Sequence, residues 1–68
     1  MTKMITVNGT SYPYQAHMDI AYLLRMLDFT DTICAIEVNQ TLVTHQDRDD
    51  FQLQDGDTVE IVSLVGGG

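Results

Sequence analysis

The chain has no tryptophan, one cysteine, one proline, two phenylalanines and only three lysines and arginines among its 68 residues. Each shortage excludes something. A lone cysteine, Cys34, cannot form an intramolecular disulfide; with no signal-like segment, that points to a reducing cytoplasm. No apolar run approaches the roughly 20 residues of a membrane-spanning helix. Three bases against ten acids give a net charge of −7. That balance repels phosphate backbones and anionic membranes, so neither nucleic acid nor a membrane surface is an expected partner. There is no Gly-x-x-x-x-Gly-Lys-Ser/Thr loop to cradle a nucleotide. No Ser-His-Asp or Cys-His arrangement follows from the spacing.

What remains is a small acidic domain. A chain of this size buries only about 60% of the surface it exposes unfolded, so a deep catalytic cleft is hard to build. The acids are unevenly placed. From Leu27 onward there are nine (Asp28, Asp31, Glu37, Asp47, Asp49, Asp50, Asp55, Asp57 and Glu60) against one base, Arg48. Such a surface steers basic protein partners, and it also serves solubility.

Hydrophobic periodicity gives the element order. Met4 to Val7 reads as a strand, and Asn8-Gly9 is the strongest two-residue hairpin signal, because both residues tolerate positive φ. Thr10 to Gln15 is the expected return strand, confined to a sheet edge by Pro13. Asp19 suits an N-cap, and Ile20, Leu23, Leu24 and Leu27 form a helical stripe, so a helix is predicted from Ile20 to Asp28. Cys34, Ile36 and Val38 alternate with Ala35 and Glu37 as a half-buried strand. Asn39-Gln40 turns the chain into Thr41 to Val43. Thr44 to Gln54 is polar, with Phe51 and Leu53 as anchors, and Asp55-Gly56-Asp57 is a turn by composition. The last and longest strand is predicted from Thr58 to Val65. This order suits an α+β roll, a mixed sheet of four to five strands with one helix packed on one face.

After Val65 come Gly66, Gly67 and Gly68. Glycine has no Cβ, so such a tail can thread a channel too narrow for other residues. The expected division is a folded domain over residues 1–65 and a flexible reactive tail over 66–68. The tip is a carboxylate whose reference pKa is about 3.3–3.7, so it is ionised and a poor electrophile at neutral pH. To accept sulfur or an amine it must first gain a leaving group. Adenylation by ATP supplies one, and the ATP site must belong to another protein.

Three stretches resemble a known family. They are the hairpin at Asn8-Gly9, the run Ala35-Ile36-Glu37-Val38-Asn39-Gln40 followed by Leu42-Val43, and the ending Leu53-Gln54-Asp55-Gly56-Asp57-Thr58-Val59-Glu60-Ile61-Val62-Ser63-Leu64-Val65-Gly66-Gly67-Gly68. The chain resembles the ThiS family, the small sulfur carriers of thiamin biosynthesis in the β-grasp, ubiquitin-like superfamily. The resemblance implies a protein cosubstrate with no catalytic residues and no bound cofactor of its own. A ThiF-like adenylating enzyme would use ATP to adenylate Gly68. Sulfur from a cysteine desulfurase pathway would convert the adenylate to a thiocarboxylate. A ThiG-like thiazole synthase would then take up the sulfur. Gly67 and Gly68 match the family's terminal pair; Gly66 falls where alanine also occurs. Related alternatives are a molybdopterin-type or other thio-cofactor carrier, a ubiquitin-like modifier, and a non-reacting β-grasp adaptor.

In this fold the last strand is central, with Val59 and Ile61 facing the helix. Val62 and Leu64 are then exposed apolar residues beside the tail, a candidate partner-docking patch with Glu60 and Glu37 as its acidic rim. Other candidates have plainer readings. Cys34 could relay sulfur, but its alternation points it into the core. His45, Asp47 and Asp49 have a metal-like spacing, yet a solvated acidic turn explains them. His17 is expected to be exposed, and Tyr12, Tyr14 and Tyr22 to be packing residues.

Overall fold

The computed structural model describes residues 2–29 and 34–63. Five strands and one helix follow in the order β1 (Met4–Val7), β2 (Thr10–Pro13), α1 (Ile20–Met26), β3 (Cys34–Val38), β4 (Thr41–Val43) and β5 (Thr58–Ser63), with a 3-10 turn at His45–Asp47 between the last two strands. The sheet order is β2-β1-β5-β3-β4. β5 runs parallel to β1 and antiparallel to β3, so the sheet is mixed, and the last strand lies in its middle.

Both hairpins turn as their residues require. Asn8 and Gly9 have φ of 49° and 85°, and Asn39 and Gln40 have φ of 52° and 70°. Paired positive φ values are those of the turns whose twist matches the flanking strands. β2 stops at Pro13, two residues short of the predicted Gln15. The Tyr14 N–H still donates to Lys3 O at 3.0 Å. By the alternation of an antiparallel ladder, the nitrogen of Pro13 then points away from β1, where its missing hydrogen breaks no rung.

α1 begins as predicted: Asp19 Oδ1 accepts the Tyr22 N–H at 2.8 Å. It ends two residues early. Asp28 has φ of 63°, the Phe29 N–H donates to Leu24 O at 2.9 Å, and the Asp28 N–H donates to Arg25 O at 3.2 Å. That is a Schellman close, with aspartate in the left-handed position usually held by glycine.

The core lies between α1 and one face of the sheet. Ile5, Val7, Cys34, Ile36, Val38, Val43, Val59 and Ile61 enter it from the strands, and Ile20, Leu23 and Leu24 from the helix. Leu53 joins them, while Phe51 and the three tyrosines pack at its margin, as expected. Met18, which carries no periodicity signal, is also buried; its carbonyl accepts the Leu53 N–H at 2.8 Å.

Arg48 departs from the sequence reading. Counted there as the one base of an acidic surface, it is only 2% exposed. Its guanidinium donates to the Cys34 carbonyl at 2.6 Å and lies 3.8 Å from the Cys34 Sγ. Arg48 therefore ties the polar stretch after β4 to the first residue of β3. The acidic half of the molecule also loses its one Lys or Arg from the surface. Arg48→Met removes a charged donor from a buried carbonyl, so urea unfolding should show a loss of roughly 1.5–3 kcal/mol. A loss below about 0.5 kcal/mol, the range of ordinary surface substitutions, would show that the tether contributes nothing.

Candidate functional site

The sheet face turned away from α1 is built by strand alternation. On β5, Val59 and Ile61 point inward while Glu60 and Val62 are exposed; on β3, Glu37 is exposed between buried Ile36 and Val38. Glu37 lies directly opposite Glu60, and Ala35 opposite Val62. The Asn39 N–H donates to Thr58 O at 2.7 Å. Counting back by twos, Glu37/Glu60 and Ala35/Val62 are the pairs whose backbone groups face each other. Val62 is 57% exposed.

Leu42 completes this face and was not singled out from the sequence. It lies opposite Glu37 and is 61% exposed. Because Glu37 spends its backbone groups on β5, Leu42 and Glu37 form the closer, non-hydrogen-bonded type of pair. One row across the face therefore reads Leu42, Glu37, Glu60, and the next holds Ala35 and Val62. A shallow hollow lined by Glu37, Asn39, Gln40, Thr58 and Glu60 adjoins the first row. The signal for Leu42 was present as a leucine between Thr41 and Val43, but only the register shows which face it takes.

Two like charges directly opposite on neighbouring strands destabilise a sheet. Among the described residues no Lys or Arg stands on β3, β4 or β5 beside them: Arg48 is buried, and Lys3 and Arg25 lie outside these strands. The face thus combines exposed apolar side chains with uncompensated negative charge. A partner carrying apolar and basic groups fits both features.

The other candidates fall elsewhere. Cys34 is 1% exposed and part of the core, on the opposite side of β3 from Glu37. His45 and Asp47 lie on the exposed 3-10 turn, with Asp49 exposed just after it. Among the described residues no three His, Cys, Asp or Glu side chains come together as a metal site, and no helix is long and apolar enough to cross a membrane. Leu64, Gly66, Gly67 and Gly68 lie outside the described residues.

Residues 5–68 match the ThiS family. The chain belongs to the ThiS family. Its fold is that of a solved ThiS thiamine biosynthesis protein from Geobacter metallireducens, with a TM-score of 0.78 at 26% identity, covering 96% of this chain and 99% of that one. The solution structure of a thiamine biosynthesis protein from the same organism gives 0.74 at 27% identity, over 100% of this chain and 88% of that one. Among sequence relatives, the uncharacterized protein ycf40 of Porphyra purpurea is 36% identical over 64 residues, which span 94% of this chain and 90% of that protein. Its namesake in Pyropia yezoensis is 31% identical over the same shares. The β-grasp expectation is met by the five-stranded mixed sheet with one helix. ThiS membership supports a sulfur-carrier role in thiamin biosynthesis and is consistent with a protein cosubstrate rather than an enzyme.

The repulsion between Glu37 and Glu60 is directly measurable. Glu60→Gln should stabilise the domain by about 0.2–1 kcal/mol in low salt. The gain should shrink as salt screens the exposed pair. Urea titrations at two ionic strengths check this; equal stability of both proteins in low salt would show that the two carboxylates do not interact.

Proposed function

We propose that this protein is a sulfur carrier whose Gly68 carboxylate is the reacting group. The observation that carries the reading is the ThiS family match running through Gly68, on a fold whose central strand, β5, ends at Ser63, five residues before Gly68 in the sequence. In the proposed cycle, a Gly68 carboxylate oxygen attacks the α-phosphorus of ATP held by a ThiF-like adenylating enzyme, and pyrophosphate leaves. The terminal sulfur of a persulfide, supplied through a cysteine desulfurase pathway, displaces AMP to form an acyl disulfide. A thiol then attacks its S–S bond, leaving the Gly68 thiocarboxylate and a new disulfide on the donor side. A ThiG-like thiazole synthase then takes the sulfur. Gly66 and Gly67 thread the enzyme's channel, for which the absence of a Cβ suits them. This chain supplies recognition and the acceptor, and its partners supply the ATP site and the catalysis.

Docking is assigned to the outer face. Val62 and Leu42 form its apolar part and Glu37 and Glu60 its acidic part, and Leu64, two residues after Val62 in the sequence, is proposed to extend the apolar part. Exposed apolar groups next to uncompensated charge support this assignment, because the apolar surface provides affinity and the charge provides steering and register.

Two tests follow. After incubation with ATP, the cognate adenylating enzyme and a sulfur source, intact mass should rise by the difference between sulfur and oxygen. Removing Gly67 and Gly68 should abolish the shift, and an unshifted full-length chain would refute the reading. Separately, Leu64→Arg and Val62→Arg should leave the thermal unfolding midpoint nearly unchanged while weakening binding to the adenylating enzyme on the order of tenfold or more, as for loss of an interface anchor. Unchanged affinity by calorimetry would remove the outer face from the docking account.

A further inference from the structure

The parallel partner of β5 is shorter than β5 itself. β1 pairs with it only at Thr6/Thr58 and Val7/Val59, and then the chain turns away at Asn8-Gly9. Beyond Val59, the β1 flank of β5 has no further strand pairing among the described residues. Asn8 occupies that gap. Its backbone N–H donates to Val59 O at 2.9 Å. Its side-chain Oδ1 accepts the Ile61 N–H at 2.8 Å, and its Nδ2 donates to Ile61 O at 3.1 Å. One amide thereby makes the two hydrogen bonds with Ile61 that a continued parallel strand would have supplied from two separate residues. The left-handed backbone at Asn8, φ 49°, turns the chain while leaving its side chain beside β5. Asparagine suits both demands, since it tolerates that conformation and carries a donor and an acceptor.

We propose that Asn8 is a positioning residue for the reacting tail, its side-chain amide acting as a substitute strand that holds the end of β5 in the sheet. The inference rests on the sulfur-carrier reading above. Ile61 stands two residues before Ser63, the end of β5, and seven before Gly68. With Ile61 held by Asn8 on one flank and its neighbours Glu60 and Val62 paired to β3 on the other, the chain reaches Ser63 along one direction. Without the amide, Ile61 loses both of these bonds and the direction of the strand end spreads. The adenylating enzyme must then order that segment as it draws in the glycines, and ordering opposes binding. The effect belongs in the apparent affinity for the carrier, not in the chemical step.

Asn8→Gly tests this, because glycine keeps the left-handed turn and removes only the amide. Hydrogen exchange of the Ile61 amide should quicken roughly fivefold or more, the effect of losing an ordinary hydrogen bond. The Thr6 amide, bonded to Asp57 O, and the Asn39 amide, bonded to Thr58 O, report on the rest of the sheet and should change less. In steady-state adenylation, KM for the carrier should rise about threefold or more while kcat stays within about twofold, as for loss of binding energy alone. Asn8→Asp keeps the Oδ1 acceptor for Ile61 and should restore part of its protection. The inference is overturned if Ile61 exchanges no faster relative to Thr6 and Asn39, or if it does so with KM unchanged, or if kcat falls instead. A parent chain that is not adenylated at all refutes the carrier reading, which is a different result from a parent and a glycine variant that react alike.

Discussion

β5 can occupy the middle of the sheet only because its backbone is bonded from both sides, in parallel by β1 and in antiparallel by β3. The core, the outer face and the approach to the tail all depend on that double pairing. Where each neighbouring strand stops, an asparagine side chain takes over. Asn39 Oδ1 accepts the Thr58 N–H at the start of β5, and Asn8 grips Ile61 near its end. Asp57 adds a brace, accepting from Asn39 Nδ2 and from the Gln54 N–H. Asp55 accepts the Met4 N–H and so ties the turn before β5 to β1. In a domain this small, with a thin margin of stability, such bonds decide whether the last strand stays in register.

That register has opposite consequences on the two faces. Inward, it stacks Val59 and Ile61 against Ile36, Val38 and the helix. Outward, it sets Glu60 against Glu37 and leaves Val62 and Leu42 in water. The inner face follows the requirements of folding, whereas the outer face works against them. Violations of local rules concentrate where a protein meets its partners. The burial of Arg48 heightens the contrast, because the base closest in sequence to these acids is committed to the Cys34 carbonyl.

Much of the architecture was legible in the residues. Asn8-Gly9 and Asn39-Gln40 marked their turns, since few residues accept paired positive φ. Period-2 alternation assigned the buried sides of β3 and β5, and Asp19 marked the start of α1. The misses have definite causes. The helix closed early because Asp28 entered the left-handed region, a choice stabilised by bonds to Leu24 and Arg25 and by Phe29 packing on the core. Met18 and Arg48 were missed because each is buried by a distant segment and not by any local pattern.

The sequence by itself determined the turns, the buried sides of β3 and β5, the acidic balance and the glycine tail, because these depend on the conformational range and polarity of residues close together in the chain. Only the tertiary structure decided which strands are neighbours. That choice sets Glu37 beside Glu60, adds Leu42 to their row, takes Arg48 out of the surface and brings the Asn8 amide to Ile61, 53 residues away. Contacts of such separation arise from the closing of the sheet around a shared core, which no local periodicity encodes.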